Sequence, residues 1–179
     1  MARTTETQET TEPQAQTARR FGRETWAAYA ACVWALLFAL MSFYWALGGQ
    51  LGLNTLGAGI RALTHDPGFV AIVWLTGIVK VIGGLFALTL VRPWAHWLPP
   101  IWKLALAWIG GAGLALYGGV NLIVEWLVIG GVIQMNGLEV TEGIRWHAWL
   151  WDPWWLLGGV LFLLAAWRYR RSRRTAYEA

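Results

Sequence analysis

Four long apolar runs, separated by short polar connections, dominate the pattern of this chain. They lie at residues 26–47, 69–91, 101–129 and 153–169. About 20 apolar residues in a helix are enough to cross the hydrocarbon layer of a bilayer. The pattern therefore predicts an all-α fold, a four-helix transmembrane bundle formed by residues 21–169, with a cytoplasmic tail at each end.

The two tails differ in composition. Residues 1–20 are rich in Thr, Gln and Glu and show no apolar periodicity. Such a segment cannot bury a core, so we expect it to be disordered. Residues 170–179 form a second, basic tail.

Arginine and lysine predict the orientation of the spans. Basic residues cluster before the first apolar run, around the connection between the second and third runs, and after the fourth; the opposite side holds only Arg61 and Arg145. Basic residues in short connections stay in the cytoplasm. We therefore predict a multi-pass protein of the plasma membrane with both termini cytoplasmic, and we call the side of Arg61 and Arg145 the predicted outer end.

The two outer connections carry helical signals. Leu53, Leu56, Ile60 and Leu63 recur at helical spacing, which predicts a short helix lying in the membrane interface. The second connection ends in Asp152-Pro153. Because Asp accepts hydrogen bonds from free N–H groups and Pro is tolerated at the first helical position, this pair predicts that Asp152 is the N-cap of the fourth span.

Ionisable residues inside two of the spans are the main candidates for a site. An ionisable group at membrane depth costs roughly 3 to more than 10 kcal/mol, so it is a functional hypothesis by default. Lys80 lies on the face of small residues of the second span, and Asn121 and Glu125 extend the corresponding face of the third. Side chains lean towards the N-terminus of their helix, so Lys80 and Glu125 are predicted to converge beside Asn121, with Ser42 and Tyr44 as neighbours. Such a cluster either fixes helix register or lines a ligand-binding cavity.

Tryptophan is unusually abundant, with 15 residues, and most of these lie at the predicted membrane interfaces. Two aromatic belts explain such a distribution. The excess at the predicted outer end also suggests an aromatic wall for an apolar or cationic ligand, formed by Trp45, Trp126, Trp146, Trp149 and Trp151.

Several site classes are not expected. The single cysteine, Cys32, excludes an intrachain disulfide and a Cys-rich zinc site. The histidines lack metal-ligand spacing, and no catalytic triad or phosphate loop is present, so we expect no metal, cofactor or catalytic residue. The net charge of +4 is concentrated in the tails, where basic residues set the orientation of the spans, so we expect no nucleic-acid partner.

Two sequence segments carry a family resemblance. FYWALGG, starting at Phe43, and RWHAWLWDPWW, starting at Arg145, resemble those of an uncharacterised actinobacterial family of small four-span integral membrane proteins. The resemblance implies the four-span architecture and carries no activity.

The function predicted from the sequence is binding of a small molecule or lipid, or an accessory role in a membrane complex, through Lys80, Asn121 and Glu125. Expected partners are membrane lipids, a second copy of the chain or a membrane partner protein. Two alternatives remain: an intramembrane enzyme acting on an isoprenoid- or sterol-like substrate with Glu125 as acid/base, and a small homodimeric transporter.

Overall fold

The computed structural model describes residues 11–133 and 140–177, and it contains no strand within them. Among the described residues, four helices are long and apolar enough to cross a membrane: Thr25–Ala46, Pro67–Leu88, Pro100–Ile129 and Glu142–Arg174. We call them the first to fourth spans. They confirm the predicted all-α fold and make this a multi-pass membrane protein.

Short elements fill the connections between the spans. A 3₁₀ turn, Leu53–Leu56, and a helix, Ala58–Leu63, lie in the first predicted outer connection and are separated by Gly57, whose φ is +90°. A residue with a side chain adopts that conformation only with strain, so the predicted interfacial helix is broken there. A second 3₁₀ turn, Pro93–Ala95, lies between the second and third spans.

The helix of the first span begins well before its apolar stretch, at Thr11, and runs to Ala46. The predicted disorder is therefore wrong for residues 11–20, while residues 1–10 lie outside the described part of the chain. Residues 11–20 consist largely of Gln, Ala, Arg, Thr and Glu, and most of these are good helix formers. Extending an existing helix avoids the cost of nucleation, so the membrane span can propagate into this polar segment.

The fourth span begins at Glu142, not at residue 153 as predicted. The helix Glu142–Trp146 is capped by Thr141, whose Oγ1 accepts the N–H of Ile144 at 3.4 Å. The helical backbone then continues through a π-helical turn, His147–Trp151, into the helix Asp152–Tyr177.

Asp152 is consequently not a helix N-cap. Its backbone is helical, with φ −75° and ψ −38°, and its N–H donates to the carbonyl of His147, five residues back. Pro153 has no N–H and its ring crowds the preceding turn, which disfavours a regular α-helix at this point. A wider π turn just before Pro153 relieves that crowding without ending the helix.

The spans pack in a row in the order second, first, fourth, third. The first span packs against both the second and the fourth, and the third packs against the fourth, whereas the second and third share no comparable interface. Burial agrees with this order: 50% of the apolar stretch is buried in the first span and 44% in the fourth, against 11% in the second and 6% in the third.

Glycines allow the close approach of neighbouring spans. A Cβ at Gly118 would lie 2.6 Å from the carbonyl oxygen of Asp152, and one at Gly159 would overlap the backbone of Ala115, so the third and fourth spans touch through their backbones. Gly158 faces the first span and receives the ring of Trp34. Small residues give this contact in lipid, where no hydrophobic force drives helices together.

Candidate functional site

Lys80 lies against the first span. Its Nζ donates to Oγ of Ser42 at 2.7 Å, and that hydroxyl donates in turn to the carbonyl of Phe38 at 3.3 Å. The ammonium also lies 4.1 Å from the centroid of the Phe38 ring. Ser42 is only 2% exposed and Lys80 is half-buried, so the charge is held by a hydroxyl and an aromatic ring.

The predicted convergence of Lys80 with Glu125 is wrong. Among the described residues, no carboxylate oxygen lies within 4.0 Å of the Lys80 ammonium, and Asn121 is hydrogen-bonded to neither residue. The reason is the order of the spans: the second and third lie at opposite ends of the row. Depth and side-chain direction allowed the pair, but neither specifies which helices are neighbours.

Trp155, on the fourth span, lies close to one side chain from each of the other three spans. Its ring centroid lies 4.7 Å from that of Phe38, 5.4 Å from that of Tyr117 and 5.9 Å from the Lys80 Nζ. The second and third spans, at the two ends of the row, therefore each place a side chain on the same side of the first and fourth spans, although they do not pack against each other. We call Phe38, Lys80, Tyr117 and Trp155 the aromatic face.

A second polar group lies at the predicted outer end, between the third and fourth spans. The Nδ1 of His147 lies 3.6 Å from Oδ2 of Asp152 and 3.9 Å from Oε1 of Glu125. The side chains are 32%, 1% and 18% exposed for His147, Asp152 and Glu125 respectively. Both oxygens of Asp152 and Oε2 of Glu125 are buried and accept no hydrogen bond from a donor in the described part of the chain. We call these three residues the carboxylate cluster.

The π turn assembles this cluster. In a regular α-helix two residues five apart point about 140° away from each other, because each residue turns the helix by about 100°. A π turn contains about one more residue, so His147 and Asp152 come closer to the same face. On the third span Glu125 follows Gly118 by two helical turns, and the contact of Gly118 with Asp152 brings the two helices together below it. Sequence reasoning missed the cluster because it began the helix after His147.

Part of the predicted aromatic wall lies in the hydrophobic core. Trp151 is only 7% exposed, its ring centroid lies 5.5 Å from that of Trp45, and its Nε1 donates to Oγ1 of Thr55 at 3.0 Å. Trp45 donates to the carbonyl of Leu51, and Tyr44 accepts the N–H of the same residue at 3.1 Å. These contacts fix the turn after the first span, so Tyr44 stabilises a connection rather than accompanying Lys80.

The other wall residues lie on the third and fourth spans. The ring centroids of Trp126 and Trp149 are 5.1 Å apart, and Trp149 is 69% exposed. Trp146 donates from Nε1 to Oε1 of Glu142 at 3.3 Å. An exposed tryptophan pair at the end of a span is typical of an interfacial belt.

Comparison with known proteins is informative at the level of the family. No curated protein and no solved structure shows significant similarity to the chain. The sequence pattern of the family "Protein of unknown function (DUF3995)" matches residues 35–162. That match includes Lys80 and every member of the carboxylate cluster, and it agrees with the resemblance seen in the two aromatic segments. The chain therefore belongs to the DUF3995 family of proteins of unknown function.

Proposed function

We propose that this protein binds an amphiphile with an anionic group on the aromatic face and that Lys80 is its anchor. One observation carries the proposal: the ammonium of Lys80 has only neutral partners among the described residues, namely Ser42 and the rings of Phe38 and Trp155. The role is binding without catalysis.

The energetics favour an anion beside Lys80. A charge at membrane depth costs roughly 3 to more than 10 kcal/mol. A cation–π contact recovers up to about 2 kcal/mol when it is desolvated, and a hydrogen bond to a charged group contributes about 1.5–3 kcal/mol. A carboxylate or phosphate group would offset more of the cost than these neutral partners do.

Space beside the aromatic face supports entry from the bilayer. Gly83 lies one helical turn from Lys80, and Gly113 lies one turn from Tyr117; beyond its own helix backbone, a Cβ at either glycine would meet no atom of the described residues within 4 Å. Because the second and third spans do not pack against each other, an acyl chain can lie between them. This combination of an ammonium, aromatic rings and open apolar space suits a lipid-like ligand.

Lipid analysis of the purified protein tests the proposal. We expect an anionic lipid class to co-purify with the wild type and with Lys80→Arg, which keeps the charge, and to be lost from Lys80→Met. Lys103→Met is the control, because Lys103, the other lysine of the chain, lies outside the aromatic face and is only 7% exposed, with its Nζ donating to the carbonyl of Thr89 at 3.3 Å. The readout is mass spectrometry of lipids extracted from equal amounts of folded protein.

Two results would contradict lipid binding. Identical lipid profiles in the wild type and Lys80→Met would remove Lys80 as an anchor. A membrane protein that co-purifies in a Lys80-dependent manner, in place of a lipid, would favour the accessory role instead. No specific observation on the described residues favours the enzyme or the transporter alternative.

We also propose that the protein resides in the plasma membrane with both termini cytoplasmic. The support is the distribution of arginine: five follow residue 167, three lie at residues 19–23, and the predicted outer end has only Arg61 and Arg145.

A further inference from the structure

We propose that Glu125, His147 and Asp152, the carboxylate cluster, form a binding site for a divalent transition-metal ion such as Zn²⁺ or Mn²⁺. The site lies at the predicted outer end of the third and fourth spans and is separate from the aromatic face.

The geometry of the three side chains fits one ion. Each residue offers one ligand atom, and these atoms all lie within 4.8 Å of one another. Ligands bound to a tetrahedral Zn²⁺ at about 2.0–2.2 Å stand about 3.4 Å apart. The distances from His147 Nδ1, 3.6 Å to Asp152 and 3.9 Å to Glu125, exceed that spacing by only a few tenths of an ångström. The carboxylates of Glu125 and Asp152 lie within 4.8 Å of each other, so an ion bound to His147 would have to draw them together by side-chain rotation.

Asp152 supplies an independent reason to expect a cation. Its side chain is 1% exposed, it is directed at His147, and neither of its oxygens accepts a hydrogen bond from a donor among the residues that the structure describes. Oε2 of Glu125 is also buried and accepts no hydrogen bond from the described residues. Among the described residues, no Lys or Arg forms an ion pair with either carboxylate. Buried carboxylates without partners are strongly unfavourable, and a coordinated ion satisfies both.

The donor set selects the class of metal. One imidazole nitrogen with two carboxylates suits Zn²⁺ or Mn²⁺, whereas Ca²⁺ takes six to eight oxygen ligands. Asp152 lies at the back of the site, while the partial exposure of His147 and Glu125 leaves the front accessible. Three protein ligands leave a coordination position open for water or a ligand.

Metal binding by tag-free, chelator-treated protein in detergent tests the proposal. We expect equilibrium dialysis against Zn²⁺, followed by elemental analysis, to show one retained ion per chain in the wild type and none in Asp152→Asn. Asp66→Asn is the matched control: Asp66 also precedes a proline, but it is exposed and caps the second span, and Asn remains a good cap. His65→Ala, at an exposed histidine outside the cluster, should also retain the ion.

Thermal melts separate loss of binding from loss of folding. Zn²⁺ should raise the melting temperature of the wild type and of Lys80→Met, and it should leave that of Asp152→Asn unchanged. Should Asp152→Asn not fold, Glu125→Gln gives the same test at a more exposed ligand. Retention of Zn²⁺ by these cluster variants would overturn the proposal. A wild type that binds neither Zn²⁺ nor Mn²⁺ would also overturn it.

Discussion

Individual ionisable residues in this membrane protein find different surroundings. Lys80 is solvated locally by the Ser42 hydroxyl and the Phe38 ring, so its charge is partly compensated within two adjacent spans. Asp152 is more deeply buried, and no donor within residues 11–133 or 140–177 forms a hydrogen bond with its carboxylate oxygens. The two residues therefore make different demands on a ligand: Lys80 favours an anion, and Asp152 favours a cation.

The first prediction concerns energetic coupling between Lys80 and Glu125. Because they share no partner among the residues that the structure describes, the effects of Lys80→Leu and Glu125→Leu on the free energy of unfolding should add to within about 0.5 kcal/mol in the double variant. Denaturation of the three variants and the wild type in detergent measures this. A double variant clearly more stable than the sum of the two single changes would restore the ion pair that the sequence suggested.

At the scale of elements, the same dipeptide gives two different structures. Asp66-Pro67 begins the second span, and the Asp66 carboxylate accepts the N–H of Phe69 at 2.8 Å. Asp152-Pro153 lies within a helix, because the segment before it is already helical from Glu142. A local capping signal could predict the first case but not the second. The helix accommodates Pro153 through the π turn before it, and no periodicity in the sequence predicts a π turn.

The second prediction concerns the close packing of the third span against the fourth at Gly118. Gly118→Ala places a Cβ 2.5 Å from the backbone nitrogen of Leu156, so the helices must separate. We expect destabilisation of about 1–3 kcal/mol, seen as a lower melting temperature in detergent. Gly113→Ala is the control on the same helix: its Cβ meets nothing within 4 Å, so stability should be unchanged or slightly higher. Equal effects of the two changes would contradict this packing.

For the whole molecule, the sequence predicted which segments cross the membrane but not which of them touch. Apolar length is a property of each segment, so the spans were predictable. Every span has a face of small residues, and lipid gives no preference among such faces. The row order depends on specific fits such as the Trp34 ring over Gly158 and the Ala115 backbone against Gly159. Those fits involve residues far apart in the chain, and the polar pairing inferred without them was consequently wrong.

The row order has a consequence for how the chain assembles. Spans adjacent in sequence, first with second and third with fourth, are also packed neighbours, so each half can insert as a helical hairpin before the halves associate. Trp34 then joins the halves by donating from Nε1 to the carbonyl of Trp154 at 2.9 Å. Two separately synthesised fragments, cut within residues 93–98, should therefore co-purify, and Gly158→Leu, which fills the space of the Trp34 ring, should abolish that association.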